Sequence, residues 1–424
     1  MSIKEILKQS HAWSGALKII NLLEDAGHKA FIVGGSVRDA ILQQQCGIVA
    51  PLQELDFDIA TSALPEEVSD LFRSTVPVGA AFGVVIVRLF GFQYEVATFR
   101  QDLDYEDGRR PTGVLFATME EDVRRRDFTI NGLFYSPALD ETRDLVGGVA
   151  DLQAGLIRTI GTAAERFAED HLRLIRAVRF AARFHFRIEE KTLRAIRNSA
   201  DRITSVSLER LRDELARILR GANPDYALRL LDECRLTAPV LNLLPQVDLA
   251  LGRFSQLHTL NLSNLTAALR PTAFIIFLCC ALRDSPVESA HVKNSMRLFR
   301  FSNQETAAAV KTTVHLFSIR EFDELREADR IRLLRDELFP AAKELAGILY
   351  QLPLTTINAE EKRLSERNLF PAPLLSGEDL LAAGLKAGPR FKTILREVET
   401  AQLEGGLTDK ESAIKLAVEL ASSD

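Results

Sequence analysis

The chain has 424 residues, of which 46% are hydrophobic, and its formal net charge is −6. This composition excludes a disordered chain, and the length predicts two to four domains rather than one core. The densest apolar run, from Thr272 to Leu282, is about half as long as a membrane span, and the first residues lack a signal-peptide pattern. We therefore expect a cytoplasmic protein that has no membrane partner. The cysteines and histidines show no zinc spacing.

A glycine turn comes directly after the first predicted strand. Helical periodicity predicts a helix over residues 12–28, a strand runs from Ala30 to Val33, and a second helix covers Val37 to Gln44. Between strand and helix lies Gly34-Gly35-Ser36. The backbone N–H groups of such a turn, at a helix N-terminus, can hold an anion. A glycine pair is more often a simple tight turn, so this motif gains meaning only from the carboxylates further along the chain.

Two aspartates share one face of the next predicted strand. In the run from Leu55 to Ile59, Asp56 and Asp58 alternate with apolar residues, so their side chains project the same way. Carboxylates held that close repel each other, and a divalent metal ion relieves the repulsion. The alternative is a solvated strand face, which is the usual meaning of an isolated pair of this kind.

A strand pair and a basic segment extend this α/β region. Strands from Val84 to Leu89 and from Gln93 to Phe99 are joined by a turn at Phe90-Gly91, and Glu95 in the second strand is a candidate third carboxylate. Two metal ions on such ligands would activate a hydroxyl and stabilise a leaving pyrophosphate. Residues 101–116 are polar and predict a loop. The segment Arg124 to Asn131 is either a solvated turn or a clamp for triphosphate and ribose.

Past Ala163 helical periodicity dominates, and the chain from Arg173 to Arg220 is rich in arginine. Asp170 and Arg173 are expected three residues apart on one helix, which makes them neighbours. They form either a weak surface ion pair or a donor and acceptor set that reads the edge of an unpaired base. On the same helix, Arg176, Arg179 and Arg183 share a face.

These motifs together resemble the class II tRNA nucleotidyltransferases, the family of CCA-adding enzymes and bacterial poly(A) polymerases. The resemblance covers residues 28–220, with the motifs in order at suitable spacing, and fades beyond them. The matching segments are Phe31 to Asp39, Leu55 to Thr61, Tyr94 to Arg100, Arg125 to Asn131, Asp144 to Gly148, Glu169 to Arg176 and Leu208 to Arg210. The segment from Gln43 to Glu54 departs from the family by its greater length.

The resemblance implies a fold class: an α+β head of the polymerase-β-like nucleotidyltransferase type, followed by all-α neck, body and tail domains. The head, which is the catalytic palm, is expected at residues 1–160 and the neck, with its nucleotide-selecting helix, at 161–222. The body is expected at 223–350 and a tRNA-facing tail at 351–424.

The resemblance also implies residue roles. Asp56 and Asp58 would bind the catalytic metal ions, expected to be Mg²⁺, and Glu95 is a further catalytic candidate. The other expected nucleotide-binding residues fall into three groups: Gly34, Gly35, Ser36 and Arg38 for the triphosphate; Arg126, Asp127 and Asn131 for sugar and phosphates; and Asp170 and Arg173, supported by Arg176 and Arg179, as a protein template that selects the base.

The expected activity is template-independent addition of CCA to tRNA 3′ ends from CTP and ATP, with release of pyrophosphate. The segment from Arg100 to Pro111 resembles the flexible loop needed for the terminal A, which disfavours a CC-adding subtype. The segment Val78 to Gly83 lacks the two basic residues typical of the poly(A) polymerases. An A-adding enzyme and a poly(A) polymerase remain alternatives, whereas the aspartate pair disfavours a non-catalytic RNA-binding protein. The sequence gives no oligomeric state.

Overall fold

The computed structural model describes residues 1–47, 54–76, 82–103, 113–241, 243, 262–267, 269–281, 289–350, 354–366 and 371–422. The chain divides into two compact units, Met1–Leu243 and Leu244–Asp424. The expected body, 223–350, extends across the point where one unit ends and the next begins, and the division into head, neck, body and tail stays a prediction. The centre of the loop expected at 101–116 and most of Val78 to Gly83 lie outside the described residues.

The first unit is built around a mixed sheet. Its strands lie in the order β3-β4-β5-β2-β1-β8-β9. Their bounds are Ala30–Val33 (β1), Asp58–Thr61 (β2), Thr75–Val76 (β3), Val84–Leu89 (β4), Phe92–Thr98 (β5), Leu133–Ser136 (β8) and Glu141–Asp144 (β9), and two short pairs lie outside this sheet: Arg100–Asp102 (β6) with Val114–Phe116 (β7), and Leu156–Ile157 (β10) with Arg187–Ile188 (β11).

The described part of the first unit also contains helices. They are Ile3–Leu7 (α1), Trp13–Asp25 (α2), Gly35–Cys46 (α3), Pro65–Leu71 (α4), Met119–Arg124 (α5), Gly148–Ala154 (α6), Ala163–Glu169 (α7), Arg173–Phe184 (α8), Glu190–Ser199 (α9), Leu208–Arg220 (α10), Pro224–Glu233 (α11) and Thr237–Leu241 (α12). One face of the sheet contacts α2 and α4. The other carries a cluster of buried aromatic rings, Phe31, Phe99 and Phe134, under Met119 and Val123 of α5.

The described part of the second unit contains helices and no β-strand. Its helices are Arg270–Ala281 (α13), Ser289–Leu298 (α14), Asn303–Arg320 (α15), Glu327–Leu334 (α16), Phe339–Tyr350 (α17), Thr355–Glu366 (α18), Gly377–Ala382 (α19), Arg390–Leu403 (α20) and Lys410–Ser422 (α21). Leu380, Ile394, Val398 and Ala417 belong to a core shared by α19, α20 and α21. None of the described helices has the length and apolar character to cross a membrane.

The predicted fold class, an α+β head followed by helices, is confirmed, with local differences. The helix predicted over Val37 to Gln44 corresponds to α3. It begins at Gly35, so its first turn includes the second glycine of the pair. The segment from Thr129 to Asn131 is a 3-10 turn, and β8 begins after it at Leu133.

Candidate active site

Three carboxylates lie at one edge of the sheet, and we call Asp56, Asp58 and Glu95 the carboxylate edge. Strands β2 and β5 are parallel, and Asp58 is directly opposite Glu95 in their register. Asp56 and Asp58 are exposed, whereas Leu55 and Phe57 are buried, as the predicted alternation requires. The structure therefore brings all three side chains to one face.

The charge of the carboxylate edge is only partly compensated. Burial raises the pKa of Asp58 to about 6, the nearby charges of Glu95 and Asp56 add to the effect, and Arg126 opposes it. One side of Asp58 is open to solvent, but the surrounding protein removes enough water to disfavour the ionised form. A bound cation would relieve this repulsion.

The residues at this edge fit the divalent metal ion that the resemblance implies. Carboxylate oxygens are the ligands that Mg²⁺ and similar hard cations prefer. Within the described ranges no group of three His, Cys, Asp or Glu side chains is already arranged as a metal site. The carboxylate edge therefore supplies the donor oxygens, and its side chains would have to move closer to one another when a metal ion binds.

The glycine turn lies beside the carboxylate edge. Gly34 has φ 76° and ψ −131°, a conformation that is open essentially to glycine alone. A Cβ atom at this position would lie 3.5 Å from Oδ2 of Asp58. The turn therefore brings the N-terminus of α3, with its N–H groups and positive dipole end, next to the carboxylates.

Ser36 and Arg38 lie in the first turn of α3, directly after the glycine pair. The hydroxyl of Ser36 is buried and has no hydrogen-bond partner among the described residues, which is the condition expected of a group that meets a ligand. The guanidinium of Arg38 is buried, with Nε donating to Oδ1 of Asp39 at 2.7 Å and Nη1 to Oδ1 of Asn131 at 2.6 Å. Burial lowers the pKa of Arg38, against the opposing charge of Asp39.

Asp127 links the turn before β8 to helix α8. Its Oδ1 accepts from the Phe128 N–H at 2.8 Å and from Nδ2 of Asn131 at 3.0 Å, and its Oδ2 accepts from Nη2 of Arg176 at 2.6 Å. Burial alone would raise the pKa of Asp127, but Arg176 and Asn131 lower it to about 2. This carboxylate is therefore ionised and held in place by neighbouring residues.

Arg126 is held by an aspartate that sequence reasoning missed. Buried Asp122 accepts from Nη2 of Arg126 at 2.9 Å and from Nη2 of Arg125 at 2.7 Å. The Arg126 guanidinium also lies over the Phe134 ring, 5.0 Å from its centroid. Asp122 thus fixes Arg126 on the face that carries Asp58. The sequence does contain a sign that Asp122 is buried, because Asp122 lies on the same face of α5 as the apolar residues Met119 and Val123.

The expectation that Asp170 and Arg173 are neighbours on one helix is wrong. Asp170 ends α7 with an extended backbone, and α8 begins at Arg173. The reason is local: Oδ1 of Asp170 accepts from the Leu172 N–H at 3.1 Å, which favours a break in the helix. Its Oδ2 instead accepts from Arg210 of α10 at 2.9 Å.

Arg173 is held at the junction of α7 and α8. Its Nη1 donates to Oε2 of Glu169 at 2.6 Å and to the Arg166 carbonyl at 3.0 Å, and its Nη2 donates to the Arg125 carbonyl at 2.9 Å. Asp170 and Arg173 thus flank the same junction, but each is fixed by its own partners.

A cluster of arginines surrounds Phe180 of α8. The guanidinium carbons of Arg38, Arg176 and Arg179 lie 5.3, 5.4 and 4.0 Å from the centroid of the Phe180 ring. We call these three residues the arginine cluster. The predicted shared face of Arg176, Arg179 and Arg183 is not a free basic surface, because each of them pairs with a carboxylate.

Glu214 of α10 is the central carboxylate that sequence reasoning missed. It is buried, and its Oε2 accepts from Nε of Arg179 at 2.6 Å, while its Oε1 lies 3.8 Å from Nη1 of Arg176. Burial lowers the pKa of Arg179 to about 10, and the charge of Glu214 opposes this effect. Glu214 therefore connects α10 to the arginine cluster.

The motif from Asp144 to Gly148 has a scaffolding role. The carboxylate of Asp144 accepts four backbone N–H groups, those of residues 146–149, at 2.9 to 3.1 Å. A Cβ atom on Gly148 would lie 2.2 Å from the Thr129 carbonyl. The motif therefore caps α6 and lets it pack closely on the turn that leads to Asn131.

Two family models match parts of this chain. The family model described as "Poly A polymerase head domain" matches residues 30–158. A second, described as "Probable RNA and SrmB- binding site of polymerase A", matches residues 185–251.

Relatives match nearly the whole chain. A CCA-adding enzyme of Bacillus cytotoxicus is 34% identical over 406 residues, which cover 94% of this chain and 96% of the relative. A CCA-adding enzyme of Lactobacillus delbrueckii subsp. bulgaricus is 32% identical over 420 residues, covering 96% of this chain and 98% of the relative.

Solved structures have the same fold. The structure of the Bacillus stearothermophilus CCA-adding enzyme in complex with CTP matches with a TM-score of 0.72 at 29% identity, covering 96% of this chain and 97% of that one. A Thermotoga maritima CCA-adding enzyme complexed with tRNA(CCA) matches with a TM-score of 0.67 at 20% identity, covering 99% and 98%. The latter likeness concerns the fold alone. By its relatives and by the head domain that carries the carboxylate edge, the chain belongs to the CCA-adding enzyme family of nucleotidyltransferases.

Proposed function

We propose that the protein completes the 3′ ends of tRNA by adding C, C and A from CTP and ATP, without a nucleic-acid template. The observation that carries the proposal is the placement of Asp58 opposite Glu95, beside a glycine turn that ends in a buried hydroxyl without a partner among the described residues. The relatives that match over nearly the whole chain are named CCA-adding enzymes, which supports the choice of substrates.

In this reaction the 3′-hydroxyl oxygen of the RNA bonds to the α-phosphorus of the nucleotide, and the bond from that phosphorus to pyrophosphate breaks. The hydroxyl loses its proton and pyrophosphate leaves. The carboxylates of Asp56, Asp58 and Glu95 would hold divalent metal, which we propose to be Mg²⁺. A bound magnesium ion supplies Lewis acidity at the attacking hydroxyl and at the leaving group.

The triphosphate would be held by the glycine turn and its neighbours. The N–H groups of Gly34 and Gly35, the hydroxyl of Ser36 and the dipole of α3 all favour an anion at this place. Arg126, fixed by Asp122, adds a cation on the face that carries Asp58. We propose that Arg38, Asp127 and Asn131 keep this pocket in shape and contact the nucleotide sugar and phosphates, as the resemblance implies.

Base selection would fall to Asp170 and Arg173. Each carboxylate oxygen has two lone pairs, so the bond from Arg210 leaves Asp170 an acceptor for a base. Arg173 has five N–H donors, and its contacts with Glu169 and two carbonyl oxygens leave some of them free to donate. Arg176 and Arg179, as expected from the sequence, would support these two residues from α8.

We also retain as proposals the domain boundaries expected from the sequence, a tRNA-facing tail and action in the cytoplasm. The features on which the choice between CCA addition, A addition and polyadenylation depended, residues 104–112 and Ala80-Ala81, lie outside the described residues. The choice therefore needs an experiment.

The experiment uses the purified full chain with magnesium and three tRNA transcripts, lacking CCA or ending in C or CC. Labelled CTP and ATP are supplied separately and together. We expect C addition from CTP alone to the first two transcripts, A addition from ATP alone only to the CC-ending one, and completion when both are present. If A is the only nucleotide added, even when CTP is present, the protein is an A-adding enzyme. Long A tracts on any RNA would identify a poly(A) polymerase.

A further inference from the structure

The turn that joins β4 to β5 holds an exposed aromatic residue in a rarely adopted backbone conformation. Phe90 has φ 52° and Gly91 has φ 84°, and positive values at both central residues are typical of a type I′ turn. Such turns favour Asn or Asp before Gly, and a bulky side chain there is an outlier. Burial does not compensate, because Phe90 is 62% exposed. Uncompensated strain of this kind is a sign of function.

This turn projects beyond the carboxylate edge. Strand β2 begins at Asp58, which pairs with Glu95, so residues 92–94 of β5 extend past the start of β2. At about 3.4 Å per residue, the end of the hairpin reaches roughly 10 Å beyond that pair. Phe92, 38% exposed, adds a second apolar surface at the same end.

A cation lies between the turn and the carboxylates. Ile86 is opposite Glu95 and Arg88 is opposite Gln93, and since residues two apart share a face, Arg88 and Glu95 lie on the same side of the sheet. Arg88 is exposed, and its side chain has no hydrogen bond or ion pair with any residue that the structure describes. It differs in this from Arg126, which is fixed by Asp122.

We propose that this hairpin tip, Arg88 to Phe92, binds the single-stranded 3′ end of the RNA that is to be extended. The Phe90 ring would stack on a base, and Arg88 would pair with a backbone phosphate, the combination by which proteins hold unpaired strands. The occupant is RNA because a ring and an exposed cation stand beside the edge to which the RNA 3′-hydroxyl must come. The inference rests on the proposed function, and it deepens that function by naming the groups that contact the strand.

The decisive variant is Phe90→Asn, which gives the Asn-Gly turn that type I′ geometry favours. We expect its thermal midpoint to equal or exceed that of the unchanged protein, while the KM for tRNA lacking CCA rises about tenfold, the size of a lost base–aromatic stack. The KM for CTP should stay the same. The matched control is Leu139→Asn, because Leu139 is 63% exposed in the turn between β8 and β9. That turn lies at the other end of the strands, because β8 starts beside Val33, which is opposite Asp58, and runs antiparallel to β1, away from the carboxylate edge. The control should leave the KM for tRNA and the KM for CTP unchanged.

A second variant, Arg88→Gln, tests the phosphate contact by salt dependence. The slope of log K against log salt for a short single-stranded RNA should become shallower by about 0.7, the value for one phosphate contact. Unchanged tRNA binding in both variants would overturn the proposal, as would a change in the KM for CTP alone. If the unchanged protein extends tRNA and both variants extend it equally well, the inference fails while the proposed function stands; if the unchanged protein extends no tRNA, the proposed function fails.

Discussion

The carboxylate edge and the arginine cluster are both highly charged, but they differ in how that charge is balanced. At the edge, Asp56, Asp58 and Glu95 lie on one face, and the pKa of Asp58 is raised to about 6, chiefly by burial and then by Glu95. In the cluster, Arg176 and Arg179 are paired with Asp127 and Glu214 at 2.6 Å. The first region needs a ligand to complete it, whereas the second is already complete.

This difference distinguishes the residues needed for activity from those that stabilise the fold. Groups that are unsatisfied in the protein alone can be removed without loss of folding, because they contribute little to it. Groups that satisfy one another support the fold, and removing one partner leaves a buried charge alone. We therefore expect substitutions at the carboxylate edge to impair activity without loss of stability, and substitutions in the arginine cluster to lower stability.

The largest effect is expected from Asp58→Asn. Turnover should fall at least about a thousandfold, because metal ligation contributes several kcal/mol to transition-state stabilisation. The free energy of unfolding should stay the same or rise, since repulsion with Glu95 is removed. Single-turnover incorporation and urea unfolding measure the two quantities, with Asp25→Asn, an exposed aspartate at the end of α2, as control. Near-normal turnover would refute the assignment of Asp58.

A loss of stability is expected from Glu214→Gln. Removing this buried charge leaves Arg179 without its closest partner and should lower the free energy of unfolding by about 3 kcal/mol. The KM for CTP should rise, because the arginine cluster loses its support from α10. The control is Asp213→Asn, whose side chain is 52% exposed and which should change stability by no more than about 0.5 kcal/mol. Equal stability of the two variants would remove the distinction between the regions.

Acid should destabilise the arginine cluster, because it protonates Asp127, the partner of Arg176. Its pKa is about 2 in the folded protein and about 3.9 in the unfolded chain. Since the folded value is the lower one, the carboxylate stabilises the fold above pH 4 and loses this contribution as the pH falls toward 2. The loss is on the order of 2–3 kcal/mol. Urea unfolding between pH 2 and 6 should show a shallower dependence for Asp127→Asn, and parallel curves would contradict the assignment.

A smaller effect is expected at Arg173, one of the two residues proposed to select the base. Arg173→Ala should lower the preference for CTP over UTP on tRNA lacking CCA at least about tenfold, because a well-placed arginine contributes about 1–3 kcal/mol to base discrimination. Ratios of kcat/KM for the two nucleotides measure it. Arg194→Ala, an exposed arginine of α9 with a partner at 3.7 Å, is the control. Selectivity that survives in the Arg173 variant would refute the template role.

The sequence predicted the local part of the carboxylate edge well. Alternation with period two placed Asp56 and Asp58 on one face, and the glycine turn was correctly located between a strand and a helix. The position of Glu95 could only be a candidate, because pairing of β2 with β5 joins distant parts of the chain. Local periodicity carries no information on which strands become neighbours.

The sequence failed where side chains compete with the helix or find distant partners. Asp170 was placed on a helix by its spacing from Arg173, but its carboxylate holds the Leu172 N–H and the helix breaks there. Glu214 was overlooked although it falls in the apolar stripe of α10, together with Leu211 and Leu215. A carboxylate in an apolar stripe indicates a buried cation, but the pattern does not say which arginine supplies it.

The most direct test of the central claim is the sequence of the product made from tRNA lacking CCA when all four nucleotides are supplied at equal concentration. We predict that the purified chain adds C, C and A in that order and then stops, since selection resides in the protein. Addition of A or U at the first position, or continued extension after the third nucleotide, would contradict this claim.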